Sequence, residues 1–216
     1  YVESAVTSEL SGNMIDLCPV GALTSKPYAF VARPWELRHA EGIDAHDAVG
    51  SNIRIDFRGR EVMRILPRLN EAINEEWISD KTRFAWDGLG RQRLDTPFVR
   101  RGGRLEPATW EEAFAEIAAR AKGLDGARIG AIAGDLADAE SMLALRELMG
   151  VLGSPNIDCR QDGAKIGGGA RAGYLFNTTI AGIEEADACL LIGSDPRSEA
   201  VLVNARLRKR WLAGGF

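Results

Sequence analysis

Two neighbouring runs in the first third of the chain mix hydrophobic and charged residues in the manner of strands. From Asn52 to Phe57, hydrophobic residues occupy every second position, with arginine and aspartate between them. Glu61 to Leu66 returns with Val62 and Ile65, and Arg58-Gly59-Arg60 separates the two runs. A period of two is typical of a half-buried strand. The pattern predicts a β-hairpin that turns at the glycine.

After Leu94 the apolar residues recur at helical spacing instead. Thr109 and Glu112 fit a capping box, in which each side chain accepts a hydrogen bond from an open backbone N–H at a helix start. Short apolar runs between the helical segments predict buried strands. The predicted helices are the one that follows Thr109 and ends at Lys122-Gly123, Asp138 to Leu152, and Pro196 to Trp211; the predicted strands are Arg128 to Ala133 and Ala188 to Ile192. This alternation favours a parallel sheet with helices on both faces, and therefore an α/β fold class.

Each of these predicted helices has an apolar face that we expect to be buried. The faces consist of Ala113, Phe114, Ile117, Ala118 and Ala121 in the first helix, Met142, Leu145, Leu148, Met149 and Leu152 in the second, and Val201, Ala205 and Leu212 in the third. Cys159 and Cys189 are expected at a strand end and inside a strand, because free cysteines are among the most buried side chains.

The composition excludes several classes of protein. The 216 residues, 45% hydrophobic and 27% charged, allow one large domain or two small ones. A net charge of −4 indicates neither nucleic acid nor an anionic membrane surface as a partner. No apolar run reaches the roughly 20 residues of a spanning helix, and no secretory leader opens the chain. Three well-separated cysteines form no disulfide framework and favour a reducing compartment.

The candidate metal ligand is Cys18, which stands before Pro19 in a loop-rich stretch. Cysteine followed by proline is typical of the iron–sulfur ligand that stands apart from a C-x-x-C-x-x-C run. Pro19 restricts its φ to about −65° and adds no amide of its own. Gly21 lacks a Cβ, so its backbone can approach a cluster and donate a hydrogen bond. By itself the dipeptide favours a buried structural cysteine, and only the longer sequence around it favours the metal ligand.

The sequence around Cys18 resembles the large iron–sulfur subunit of respiratory complex I, NADH–quinone oxidoreductase. The resemblance covers the segments Ser11 to Phe30, Ala32 to Glu36, Asp47 to Ile53, Glu61 to Arg68, Asn74 to Phe84 and Asn177 to Asp187. It implies that Cys18 is the fourth ligand of a [4Fe–4S] cluster. It also implies that the other three ligands, and further [4Fe–4S] and [2Fe–2S] clusters, lie upstream of this chain.

A second resemblance, to molybdopterin oxidoreductases such as formate dehydrogenase, involves Trp77 to Asp87. Those enzymes carry a C-x-K-G-R-F pattern whose cysteine binds an additional [4Fe–4S] cluster. Here Ser79 stands near the place of that cysteine, while Lys81 and Arg83 are kept. A hydroxyl is a poor replacement for a thiolate on iron. The resemblance therefore predicts that this additional cluster is absent and that Lys81 and Arg83 form ion pairs.

Other possible ligand positions carry weaker signals. Gly167-Gly168-Gly169 lacks the spacing of a dinucleotide-binding loop. Gly193 to Arg197 lies between a predicted strand and a helix, where either an anion site or simple helix capping is possible. Asp162 is the sole candidate in the position of the molybdenum ligand, so no molybdenum is expected. His39 and His46 have no partner at ligand spacing and are expected to be surface or hydrogen-bonded residues.

Taken together, the resemblance implies three regions: 1–34 as the end of an iron–sulfur ferredoxin-like domain, 35–93 as a β-rich region without cluster cysteines, and 94–216 as an incomplete molybdopterin-oxidoreductase-like domain. The chain would be a fragment of an electron-transfer subunit that contains no catalytic residue. Its partners would be other peripheral-arm subunits, including the one that binds NADH and FMN. It would lie at the cytoplasmic side of a bacterial inner membrane or the matrix side in mitochondria. A working molybdenum enzyme and a redox-silent assembly scaffold are the alternatives.

Overall fold

A computed structural model describes residues 6–160, 163, 165, 167, 169–176 and 178–216 of the chain. The helices are α1 (Asn13–Leu17), α2 (Asp80–Phe84), α3 (Trp110–Ala121), α4 (Ala139–Val151), α5 (Pro196–Glu199) and α6 (Val201–Leu212). The strands are β1 (Arg38–Ile43), β2 (Asn52–Arg58), β3 (Glu61–Pro67), β4 (Phe98–Arg101), β5 (Arg104–Pro107), β6 (Gly130–Ile132) and β7 (Asn156–Asp158). Short 3₁₀ helices lie at Pro34–Glu36, Ala85–Gly90, Gly126–Arg128, Arg171–Gly173 and Ala181–Glu185.

The chain divides into two compact units. The first unit combines Tyr1–Arg91 with Ala170–Phe216, and the second unit is Gln92–Gly169. The division groups residues 170–216 with the N-terminal part, whereas the sequence pattern joins them to the residues before 170. This division does not test the three regions predicted from the resemblance, so their boundaries at residues 34 and 93 stay a prediction.

The first unit contains a three-stranded antiparallel sheet in the order β1-β2-β3. The predicted hairpin is confirmed, with Ile55 opposite Ile65 in the register. Gly59 in its turn has a φ of 62°, a left-handed conformation that favours glycine. Strand β1 was not predicted, because Arg38–Ile43 is almost entirely exposed and shows no hydrophobic alternation.

The core of the first unit consists of isoleucines beneath this sheet. Ile53, Ile65 and Ile78 are buried together, and Val62 and Trp86 pack against them. Ile78 arrives from outside the sheet, at the end of the loop that follows β3. The hairpin therefore buries one face against a segment that the alternation alone could not identify.

A buried asparagine holds this loop against the sheet. Asn74 is 2% exposed, and its Oδ1 accepts a hydrogen bond of 2.9 Å from the backbone N–H of Asn52. Its Nδ2 donates to the carbonyls of Arg68, Glu75 and Trp77 at 3.1, 3.2 and 3.1 Å. Because a buried amide without partners would be destabilising, this set of contacts fixes the loop that leads to Ile78.

Two predictions about the last part of the first unit are wrong, and the first concerns its helix. The helix predicted from Pro196 to Trp211 is interrupted at Ala200, whose φ of −144° and ψ of 66° are not helical. The restart at Val201 turns Leu202 and Arg206 inward, at 2% and 4% exposure, instead of the predicted face. Leu212, predicted to be buried, is exposed.

The strand predicted at Ala188 to Ile192 is also wrong. These residues form no strand, and Leu190 and Ile192 are 82% and 81% exposed. A buried parallel strand requires neighbouring strands and covering helices, and the described residues provide neither for this segment. Cys189 is consequently exposed, as is Cys159 directly after β7, so neither cysteine has the buried position expected of it.

The second unit has its helices where the sequence predicts them. Thr109 and Glu112 form the predicted capping box at the start of α3. Asp138 caps α4 by accepting a hydrogen bond from the N–H of Ser141. The unpredicted strands β4 and β5 form an antiparallel hairpin. Strands β6 and β7 pair in parallel, and among the described strands they are the only parallel pair.

The apolar faces in the second unit are less buried than predicted. On α3, Phe114 and Ile117 are 60% and 61% exposed. On α4, Met149 is buried as expected, but Leu148 is exposed. The strand predicted at Arg128 to Ala133 is reduced to β6 and leaves Ile132 exposed. Two paired strands are too few to cover these faces, since stable burial requires a second complete layer.

Candidate metal centre

The Cys18 loop begins where the short helix α1 ends. Cys18 occupies the C-cap position with a φ of −81° and a ψ of 107°, so its backbone leaves the helix in an extended conformation. Pro19 follows at once and prevents the helix from continuing. Gly21 has a φ of 68°, and no atom lies within 4 Å of where its Cβ would be. Glycine is thus required here by the backbone conformation and not by lack of space.

Backbone N–H groups of the loop that follows Cys18 favour the charged form of its sulfur. They lower the pKa of the Cys18 thiol, and the hydrogen bonds come, from largest to smallest effect, from Leu23, Val20, Ala22 and Gly21. Partial burial acts in the opposite direction with a smaller effect than the two strongest of these bonds. Hydrogen bonds to the charged form stabilise it, and successive amides in such a turn form a concave anion-binding nest. These amides therefore favour the thiolate, the form of cysteine that binds metals.

Asn13 and Asp80 tie α1 to the loop that carries Ile78. The Asn13 Nδ2 donates a hydrogen bond of 2.8 Å to the carbonyl of Ile78, and its Oδ1 accepts one of 3.2 Å from the Ile78 N–H. The Asp80 carboxylate accepts hydrogen bonds from the Ser11 hydroxyl at 2.5 Å and the Gly12 N–H at 2.7 Å. These contacts join segments about 65 to 70 residues apart in the sequence.

Arg83 completes the anchor from helix α2. Its guanidinium donates to the Asp16 carboxylate at 2.5 and 3.2 Å and to the Asn13 Oδ1 at 3.1 Å. The Arg83 side chain is only 4% exposed. The ion pair predicted for Arg83 is therefore confirmed. Lys81 is exposed and forms no salt bridge with the described residues, so the same prediction is wrong for Lys81.

Ser79, the residue near the position of a ligand cysteine in other proteins, has a local structural role. It is the N-cap of α2, and its hydroxyl accepts a hydrogen bond of 3.1 Å from the Thr82 N–H. Its Oγ also lies 2.9 Å from the Thr82 hydroxyl oxygen. Serine is among the preferred N-cap residues, so this position supports the short helix that presents Arg83.

A cavity of about 940 Å³ opens beside the Cys18 loop within the first unit. Gly21 and Leu23 form part of its wall, together with Tyr28 and Trp86. Val20 and Leu23 of the same loop are 81% and 42% exposed. Within the described part of the chain the loop does not cover its own sulfur.

The remaining candidate positions do not form a second site in the residues that the structure describes. Asp195 accepts a hydrogen bond from the Arg197 N–H and caps α5, which is the capping interpretation of that turn. Among the described residues, no three histidine, cysteine, aspartate or glutamate side chains converge as metal ligands, and this includes His39 and His46. Asp162 and Gly168 lie outside the described residues.

None of the helices in the described part of the chain combines the length and apolarity of a membrane span. The sequence itself, in contrast, has clear relatives. The family model for molybdopterin oxidoreductases matches residues 93–216, more than half of the chain. This match defines the class of the C-terminal part, whose helices and parallel strand pair make the protein a mixed α/β protein.

Two further family models match parts of the remaining residues. The 4Fe-4S domain of the NADH-ubiquinone oxidoreductase NDSU1/NuoG-like family matches residues 37–87. The ferredoxin-like domain of NADH-quinone oxidoreductase subunit 3 matches residues 1–24, which include Cys18. The stretch matched by the 4Fe-4S domain contains no cysteine.

Whole-chain similarity points to the same proteins. The chain is 58% identical, over 98% of its length, to the mitochondrial NADH-ubiquinone oxidoreductase 78 kDa subunit of Candida albicans. It is 58% identical over 97% to the mitochondrial NADH dehydrogenase [ubiquinone] iron-sulfur protein 1 of Solanum tuberosum, and 57% identical over 97% to an NADH-quinone oxidoreductase subunit of Rickettsia conorii. The chain belongs to the family of this large iron–sulfur subunit, and it spans 28% to 31% of the length of these three relatives.

Proposed function

We propose that Cys18 is the fourth ligand of a [4Fe–4S] cluster in an electron-transfer subunit of NADH–quinone oxidoreductase. The observation that carries this proposal is the loop after helix α1, in which Cys18 is extended, Pro19 follows it and Gly21 is left-handed. Backbone N–H groups of this loop also hold the pKa of the Cys18 thiol below its ordinary value. Amides that stabilise a free thiolate also donate to a sulfur bound to iron, where they influence the reduction potential.

The first part of this chain can provide one of the four ligands that such a cluster needs. A [4Fe–4S] cluster takes four thiolates, and Cys18 is the only cysteine in residues 1–158. We propose that the other three ligands, and further [4Fe–4S] and [2Fe–2S] clusters, come from residues upstream of this chain. When bound, the cluster would supply one-electron transfer, and this chain's residues would hold its ligand and orient the surrounding amides.

The three regions follow from this assignment. Residues 1–34 would be the loop-rich end of a ferredoxin-like domain, and 35–93 a β-rich region that has lost its own cluster cysteines. Residues 94–216 would be an incomplete molybdopterin-oxidoreductase-like α/β domain that serves as a scaffold. No residue here is proposed to be catalytic or to contact NADH, flavin or quinone.

The subunit would pass electrons that originate from NADH toward quinone. Its partners would be the other peripheral-arm subunits of complex I, including the NADH- and FMN-binding subunit, without nucleic acid and without membrane insertion. It would lie at the cytoplasmic face of a bacterial inner membrane, or the matrix face in mitochondria. No molybdenum is expected, because Asp162 is the sole candidate at the position of the molybdenum ligand.

The test is electron paramagnetic resonance of the full-length subunit with Cys18→Ala. We expect one [4Fe–4S] signal to disappear while the signals of the other clusters persist, because one thiolate of four is removed. Cys189→Ala is the matched control, since Cys189 is an exposed cysteine of the same unit, and it should leave every signal unchanged. An unaltered spectrum in Cys18→Ala would overturn the assignment and support the scaffold alternative. Stoichiometric molybdenum in the same preparation would instead support the molybdenum-enzyme alternative.

A further inference from the structure

The helix that ends at Cys18 is too short to be stable alone. Helix α1 has five residues, whereas isolated helices of fewer than about 12 residues are marginal in water. It has no side-chain hydrogen bond at its N-cap, Gly12. Its direction must therefore be set by tertiary contacts, and the direction of α1 decides where the Cys18 side chain points.

We propose that Arg83 is a positioning residue for the metal ligand Cys18, an inference that rests on the function proposed above. Its guanidinium binds Asn13 and Asp16 at once. Asn13 and Asp16 are three positions apart and lie on one face of the helix. The planar guanidinium therefore binds α1 at two points along one side. Cys18 is two residues beyond Asp16, and any rotation of α1 would move the thiolate.

Arginine suits this task for geometric reasons. Its planar guanidinium presents several N–H groups in a fixed arrangement, which a lysine ammonium cannot reproduce. The approach is close as well, because a Cβ at Gly12 would lie 2.7 Å from the Arg83 side chain. The Arg83 Nε is buried without an acceptor among the described residues, so the interaction with α1 depends on the two terminal nitrogens.

The arrangement also balances charge beside the ligand. Two peptide units separate Asp16 from Cys18, which places their Cα atoms within about 7.6 Å. The Arg83 guanidinium neutralises the Asp16 carboxylate. Removing Arg83 would leave a negative charge near the bound cluster and lower its reduction potential, whereas removing the Asp16 charge would leave a positive charge and raise it.

The experiment compares Arg83→Gln, Arg83→Lys and Asp16→Asn in the full-length subunit. Two properties are measured: the rate at which a chelator removes iron from the cluster that depends on Cys18, and the midpoint potential of that cluster in a redox titration followed by paramagnetic resonance. Loss of a residue that orients a metal ligand typically weakens metal binding by about 10- to 100-fold. We expect iron loss from Arg83→Gln to be faster by about tenfold or more, with Arg83→Lys intermediate.

Arg206→Gln provides the matched control. Arg206 is also 4% exposed, also belongs to the first unit and also pairs with a carboxylate, that of Glu184. It contacts the loop at Glu71 and Ile73 rather than α1. Its loss should destabilise the unit while leaving iron release and the potential unchanged.

The outcomes separate this inference from the proposed function. Faster iron release from Arg83→Gln than from Arg206→Gln, with Arg83→Lys intermediate, would support the positioning role. Potentials shifted in opposite directions by Arg83→Gln and Asp16→Asn would support the charge balance beside the ligand, which general destabilisation cannot imitate. If Cys18→Ala abolishes the signal but both variants keep the wild-type potential and iron release, the inference is wrong and the ligand assignment survives. Equal iron loss from Arg206→Gln and Arg83→Gln would overturn it too. If Arg83→Gln does not fold, the iron release and the potential of Asp16→Asn test the inference alone. This variant is the safer one, because 27% of the Asp16 side chain is exposed.

Discussion

The first unit buries Ile53, Ile65 and Ile78 in one core, whereas the second unit leaves the apolar face of α3 in contact with solvent. Ile78 is 0% exposed in the first unit, and Ile117 is 61% exposed in the second. The polar contacts at the start of a helix also differ between the two units. Asn13 in the first unit bonds to Ile78, 65 residues away, while Thr109 in the second bonds to Glu112, three residues away.

This contrast separates two sources of order. In the second unit the helices begin where local caps specify them, and they form without a complete core around them. In the first unit the short elements α1 and α2 have little intrinsic stability and depend on contacts that are distant in sequence. A ligand loop that must be held in one orientation is found in the unit that is organised by such distant contacts.

The largest effect is expected from removing core volume in the two units. Ile78→Ala should destabilise the first unit by about 3 kcal/mol, because it leaves a cavity at a fully buried position. Ile117→Ala on exposed α3 should change stability by less than about 0.5 kcal/mol. Hydrogen exchange of peptides from β2, β3 and α3 in the full-length subunit measures both. If the two substitutions have similar effects, the exposed face of α3 is covered in the full-length protein and the contrast between the units fails.

A smaller effect is expected at the cap of α3. Thr109→Ala removes the hydroxyl that accepts a hydrogen bond from the Glu112 N–H. This loss should destabilise the first turn of α3 by about 1 kcal/mol. Exchange of the amides at the start of α3 should accelerate, with no change in β2 or β3. Thr109→Ser keeps the hydroxyl and should behave as the wild type. Unchanged protection in Thr109→Ala would mean that packing, and not the cap, determines where α3 begins.

The smallest effect concerns pH and a charged cluster in the first unit. Burial tends to raise the pKa of Glu184, but hydrogen bonds from Lys209 and Arg206 outweigh it and hold the pKa below its ordinary value of 4.5. Because the folded pKa is the lower one, the Glu184 carboxylate stabilises the folded unit above the unfolded value, and this stabilisation is lost as the pH falls through the folded value.

The difference between wild type and Glu184→Gln isolates this contribution from those of other carboxylates. The melting temperature of the wild type should exceed that of Glu184→Gln at pH 6, and the two should converge as the pH is lowered below 4. A constant difference across this range would show that Glu184 acts through packing and not through its charge.

The short-range signals in the sequence determined the hairpin of β2 and β3, the capping box at Thr109 and the start of α4 at Asp138. Each of these features depends on residues that are close together in the sequence, so it can be predicted without the tertiary structure. The Cys18-Pro19 loop was found in the same way, from a dipeptide and from a resemblance that the family matches confirm.

Only the tertiary structure decided which residues anchor that loop. Asn13 and Asp16 are three positions apart, a spacing that places them on one face of a helix. The neighbouring residues in the sequence do not indicate that Arg83, about 70 residues away, binds both of them. The strand predicted at Ala188 to Ile192 failed for the same reason, because an apolar run becomes a buried strand only when other segments pair with it and cover it. Arg206 is buried for the same cause, since the break at Ala200 turned it toward carboxylates that come from other parts of the chain.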